Sequence, residues 1–85
     1  MKAKVRLFAR LSELAGTREA EVELGEGLTA GEVYSRLCHE YPQLAGFGDV
    51  LRYAVNGEYV TMIHPVGEND EVALIPPVSG GAGAL

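Results

Sequence analysis

Thr29-Ala30-Gly31-Glu32-Val33-Tyr34-Ser35-Arg36-Leu37-Cys38-His39-Glu40-Tyr41-Pro42 reads as one capped helix, and it decides the fold because both of its flanks read as strand. Thr29 and Glu32 have the spacing of a capping box, in which the threonine hydroxyl accepts from the N3 amide and the glutamate reaches back to the cap amide. Leu28 before the cap and Val33 at N4 can form a hydrophobic staple. Val33, Leu37 and Tyr41 then continue along one face with Tyr34 and Cys38 beside them, a stripe suited to covering a sheet. Cys38 lies inside that stripe, so it reads as a small hydrophobe rather than a sulfur-handling thiol. Pro42 disfavours helix at Tyr41 and ends the element.

Working outward towards the N-terminus, residues 2–10 alternate, with Val5, Leu7 and Ala9 on one face and Lys4, Arg6, Phe8 and Arg10 on the other. That period of two is a half-buried strand, and Phe8 is the aromatic exception on its basic face. Residues 11–15 form a short helix-prone step that Gly16 can terminate. Residues 19–24 alternate again, with Glu19, Glu21 and Glu23 reading as a solvated strand face rather than a metal or basic-partner site. Gly25-Glu26-Gly27 turns the chain into the helix.

Towards the C-terminus, residues 43–49 read as a loop from which Leu44 and Phe47 plug the underside. Residues 51–55 and Glu58-Tyr59-Val60 flank Asn56-Gly57, the dipeptide of a tight hairpin turn. Tyr59 and Val60 must point to opposite faces, so one of them is expected to be exposed. His64-Pro65 follows, then Gly67-Glu68-Asn69-Asp70 turns into Glu71-Val72-Ala73-Leu74-Ile75, which is apolar on both faces after Glu71 and suits a central strand. His64 has no base or nucleophile at a recognisable spacing and reads as structural. The order strand, strand, helix, strand, strand, strand predicts an α+β chain: a ubiquitin-like β-grasp, its mixed sheet covered by one main helix. The last strand is expected at the sheet's centre, parallel to the first.

Composition narrows the function. At 85 residues the chain has room for one small core and little for an internal active-site cavity. A net charge of −5 opposes nucleic-acid binding. No apolar run approaches the ~20 residues of a membrane span, and no signal-peptide pattern precedes the first strand, so a cytoplasmic protein is expected. One cysteine and two dispersed histidines imply no disulfide and no intrinsic metal.

After the last strand comes Pro76-Pro77-Val78-Ser79-Gly80-Gly81-Ala82-Gly83-Ala84-Leu85. Proline keeps such a segment extended, and glycine lets another protein's backbone or active site approach closely. From Pro76 to Gly81 an extended chain spans roughly 20 Å, enough to project a group from a small body. The division expected is a β-grasp domain over residues 1–76 and an extended tail over residues 77–85 that contains Gly80-Gly81.

The ordered set Ala54-Val55-Asn56-Gly57, His64-Pro65-Val66, Asp70-Glu71-Val72-Ala73 and Pro76-Pro77-Val78-Ser79-Gly80-Gly81 resembles the small, sulfur-carrying subunit of molybdopterin synthase. The opening Val5-Arg6-Leu7-Phe8-Ala9 and residues 11–16 extend the resemblance over nearly the whole chain to Gly81. It implies a carrier whose terminal Gly81 carboxylate is adenylated by a ubiquitin-activating-type adenylyltransferase using ATP and Mg. A sulfur donor protein then converts it to a thiocarboxylate. The tail next inserts into the large synthase subunit, where sulfur passes to cyclic pyranopterin monophosphate. Catalytic residues are then expected on the large subunit, with Gly81 here as the acyl carrier. Gly80 allows passage, and Pro76, Pro77, Val78 and Ser79 form the inserted arm. Phe8, Tyr59 and Ile75 are the candidates for the partner surface.

One departure stands against the family pattern, because Ala82-Gly83-Ala84-Leu85 follows the diglycine and makes the Gly81 carbonyl an amide. Proteolytic removal, an appended or fused segment, and loss of carrier chemistry would each account for it. Within the same fold, the alternatives are a sulfur carrier for thiazole or tRNA thiolation, a protein modifier conjugated through Gly81, and a plain binding module. An autonomous enzyme is disfavoured by the absence of a triad or dyad in the sequence.

Overall fold

The computed structural model describes residues 1–77. In chain order they form β1 (Lys2–Leu7), α1 (Arg10–Ala15), β2 (Glu19–Glu23), β3 (Leu28–Thr29), α2 (Ala30–Glu40), a 3-10 turn (Pro42–Leu44), β4 (Arg52–Val55), β5 (Glu58–Val60), β6 (Pro65–Val66) and β7 (Glu71–Ile75). Five strands make a mixed sheet in the order β2-β1-β7-β4-β5, and β3 pairs with β6 in a small separate ladder. β7 is central, parallel to β1 and antiparallel to β4. This is the ubiquitin-like β-grasp with one main helix.

Burial follows the alternation read from the sequence. Val5 and Leu7 of β1 sit in register with Val72 and Leu74 of β7, which are in turn opposite Val55 and Tyr53 of β4. All six are buried against the helix side of the sheet, together with Val33, Tyr34 and Leu37 of α2 and Leu44 of the 3-10 turn. A fully buried leucine or valine contributes about 1.5–3 kcal/mol relative to exposure, so this layer dominates stability. The capping box of α2 is complete: the Glu32 amide donates to Thr29 Oγ1 at 3.2 Å and the Thr29 amide donates to Glu32 Oε1 at 2.9 Å. Asn56 and Gly57 both have positive φ, 52° and 87°, the requirement of the two-residue hairpin turn that joins β4 to β5.

Two expectations need correction. The first strand ends at Leu7 rather than at Arg10, and Ala9 is exposed instead of continuing the buried face. Ala9 has a φ of 52° that no strand tolerates, and Arg10 already belongs to α1. The second concerns the loops. Leu28–Thr29 and Pro65–Val66 pair as strands, and the first part of the 43–49 loop winds as a 3-10 turn begun by Pro42. Leu28 is thereby drawn into a ladder with Val66.

Candidate functional site

The central position of β7 determines where the chain leaves the body. Its last ladder residue, Ile75, is opposite Arg52 of β4, after which Pro76 is buried and Pro77 exposed. Both prolines line a groove of about 760 Å³ with Phe8, Ala9, Arg10, Glu13, Phe47 and Ile75. Phe8 is 41% exposed, and the Arg6 guanidinium carbon stands 5.9 Å from its ring centroid. Arg10 Nη1 donates to Glu13 Oε1 at 3.1 Å, so the rim carries a paired rather than a bare cation. An apolar floor with a polar rim is the anatomy of a protein-docking surface.

Of the three residues expected to meet a partner, Phe8 and Ile75 come together in this groove. Tyr59 does not join them. It is 70% exposed on β5, the sheet's edge strand, and lines a second depression with Arg52, Tyr53 and Met62. Register nevertheless links the two places: Arg6, Ala73, Ala54 and Tyr59 form one row across the sheet, on the face opposite α2. Pro76 and Pro77 are at the groove, whereas Val78, Ser79, Gly80 and Gly81 lie outside the described residues.

The groove also holds Phe47, which the sequence suggested only as a plug beneath the sheet. Phe47 is half-buried and does both, packing on the core and lining the groove. Its backbone is fixed by Tyr34, whose hydroxyl donates to the Leu44 carbonyl at 2.6 Å and accepts from the Phe47 amide at 3.1 Å. Burial pushes the Tyr34 phenol above its usual pKa. A signal existed in the sequence, since an aromatic between Gly46 and Gly48 has little reason to be there unless it packs on something.

Other candidate chemistry stays separate from this site. His64 is exposed, and its carbonyl accepts from the Ala30 amide at 2.9 Å, which helps to cap α2. Cys38 is half-buried and packs against the core. Among the described residues no cluster of His, Cys, Asp or Glu is placed to hold a metal ion. None of their helices is long and apolar enough to cross a membrane.

Comparison with known proteins gives this geometry a family. The ThiS family matches residues 5–81, nearly the whole chain and the Gly80-Gly81 pair. The chain belongs to the ThiS family. Within that family, the molybdopterin synthase sulfur carrier subunit of Chlamydomonas reinhardtii is 36% identical over 83 residues, covering 95% of this chain and all of that protein. Small archaeal modifier protein 1 of Haloferax volcanii is 38% identical over 87 residues, covering 89% of this chain and 97% of the relative. The crystal structure of SAMP1 from Haloferax volcanii superposes with a TM-score of 0.85 at 34% identity, over 95% of this chain and all of the other. The resemblance to sulfur carrier subunits read from the sequence is therefore borne out for this ThiS-family chain, as is its ubiquitin-like fold.

Proposed function

We propose that this chain is the sulfur carrier subunit of molybdopterin synthase and that Gly81, once its carboxylate is free, carries the sulfur as a thiocarboxylate. The observation that carries the reading is the placement of Pro76 and Pro77: a central strand delivers them to an apolar groove, and Val78-Ser79-Gly80-Gly81 follows directly. The named carrier relatives support the same reading.

A free carboxylate is a poor electrophile because its charge repels nucleophiles. Attack of a Gly81 carboxylate oxygen on the α-phosphorus of ATP, with Mg in the activating enzyme, expels pyrophosphate and gives an acyl-adenylate. The outer sulfur of a persulfide on a donor protein then attacks the carbonyl carbon and expels AMP, and a thiol cleaves the resulting acyl disulfide, which frees the thiocarboxylate and leaves a disulfide on the donor side. Delivery to cyclic pyranopterin monophosphate takes place in the large synthase subunit, which supplies the acid and base groups. The described part of this chain contributes the rigid base and the Phe8, Phe47 and Ile75 groove, with Tyr59 as an outlying contact. These steps are cytoplasmic in our reading.

Intact mass is the deciding test. The chain is incubated with the activating enzyme, ATP, Mg and a sulfur donor, both as given and ending at Gly81. The form ending at Gly81 is expected to gain the mass difference between sulfur and oxygen, and failure to do so sinks the carrier reading. The form continuing to Leu85 is expected to remain unmodified, because its Gly81 carbonyl is an amide.

A second reading has a specific observation behind it, the modifier relative at 38% identity. In that role the activated Gly81 carbonyl is attacked by a lysine amine instead of sulfur, with AMP leaving and a proton passing to solvent. Isopeptide-linked glycine remnants on cellular lysines, dependent on the activating enzyme, would favour it over the carrier.

A further inference from the structure

Ala9 occupies a place that belongs to glycine. Its φ of 52° and ψ of −127° are those of the first central residue of a type II′ turn, and the Leu11 amide closes that turn on the Phe8 carbonyl at 3.1 Å. Glycine is the usual residue there because a Cβ crowds the backbone at positive φ. Ala9 is held in place by what converges on its carbonyl, which accepts from the Ser12 amide at 3.1 Å, the Glu13 amide at 3.3 Å and Ser12 Oγ at 2.8 Å. A strained residue persists only where its surroundings over-determine it, and such residues gather at functional surfaces.

This turn ends the β1 ladder and sets Phe8 and Arg10 at the groove where Pro76 and Pro77 leave the sheet. We propose that Ala9 is a positioning residue for partner docking: the hydrogen bonds on its carbonyl select the turn, its Cβ narrows the backbone states open to that turn, and Phe8 is so presented already in place beside the tail exit. Glycine would relieve the strain and keep the turn, but it would also admit neighbouring backbone states. Phe8 would then have to be ordered at the moment of docking, which weakens association. The inference rests on the reading of Phe8 as part of the partner surface.

The full chain is titrated calorimetrically against the molybdopterin synthase large subunit of the same organism, and its melting is measured alone. Ala9→Gly is expected to raise the melting midpoint by about 4 °C. The same variant is expected to bind about 2- to 10-fold more weakly, with the loss in the entropy of binding. A chemically synthesised chain with D-alanine at this position adopts positive φ without strain and without extra freedom. It is expected to gain at least that much stability, since it adds no freedom to the unfolded chain, and to bind like the unaltered chain. A purely structural role would give Ala9→Gly higher stability at unchanged affinity, and that result overturns the proposal, as would lower stability or an equal loss of affinity with D-alanine. Phe8→Ala separates the two levels of the argument. Unchanged binding there defeats the partner-surface reading and the role of Ala9 with it, whereas weakened binding with an innocuous Ala9→Gly defeats only the role of Ala9.

Discussion

Asn56 and Asp70 are joined side chain to side chain across the end of the sheet: Asn56 Nδ2 donates to Asp70 Oδ1 at 2.9 Å, while Asn56 Oδ1 accepts from the Glu71 amide at 3.0 Å. The other Asp70 oxygen accepts from the Gly67 amide at 2.8 Å. One pair thus ties the β4–β5 hairpin turn to the start of β7, the strand that carries the tail.

The Gly67 amide and then the Asn56 side chain hold the Asp70 carboxyl below its ordinary pKa of 3.8. A folded-state pKa below the unfolded one means stability that is fully present above pH 3.8 and is lost as pH falls from there through the folded value. Asp70→Asn should therefore be less stable than the unaltered chain at neutral pH. The difference should shrink as pH falls below the ordinary carboxylate range. Urea midpoints measured across that range check this, and a difference independent of pH would refute it.

Tyr34→Phe removes a hydroxyl that serves the Leu44 carbonyl and the Phe47 amide at once. Leaving a buried polar group unpaired costs about 1–3 kcal/mol, so a loss of about 2 kcal/mol is expected in chemical denaturation. The Phe47 amide should also exchange its hydrogen faster, which amide exchange by NMR would detect.

Tyr53→Phe should behave in the opposite way. The Tyr53 hydroxyl is buried without a hydrogen-bond partner among the described residues, and burial pushes its phenol upward in pKa. Removing an unsatisfied hydroxyl while keeping the ring should leave stability unchanged or raise it by about 1 kcal/mol. A clear loss in the urea midpoint would mean that the hydroxyl is satisfied by bound water.

These contrasts bear on what the sequence could disclose. The capping box of Thr29 and Glu32 and the Asn56-Gly57 turn were legible because each is a local device whose partners lie within a few residues. The central position of β7 was legible because Val72-Ala73-Leu74-Ile75 has no polar face. The pairing of Leu28–Thr29 with Pro65–Val66 was not, since two-residue strands are too short for a period and their partners are far apart in sequence. Ala9 misled for a different reason: it preserves the alternation of β1 and is not a glycine, so nothing local marks the turn. Phe8 and Ile75 stood out as apolar residues where alternation puts them outside. Phe47 belongs to a loop without periodicity, and its backbone is held at the groove by the Tyr34 hydroxyl and by the Val50 and Leu51 amides that donate to its carbonyl.

The two depressions on the tail side should contribute to docking independently of each other. Phe8, Phe47 and Ile75 line one groove, whereas Tyr59 lines another on the edge strand. Residues sharing a pocket couple when truncated, and residues without shared partners add. Phe47→Ala and Tyr59→Ala should each weaken binding to the large synthase subunit by about 1–2 kcal/mol, the usual loss on truncating an aromatic that docking buries. Together they should lose the sum within about 0.5 kcal/mol. Phe8→Ala combined with Phe47→Ala should depart from additivity by more than that, because the first truncation opens the groove that the second residue fills. Calorimetric titration of the three single and two double variants decides it. Coupling between Phe47 and Tyr59 as large as that between Phe8 and Phe47 would mean that the partner closes the two depressions into one site.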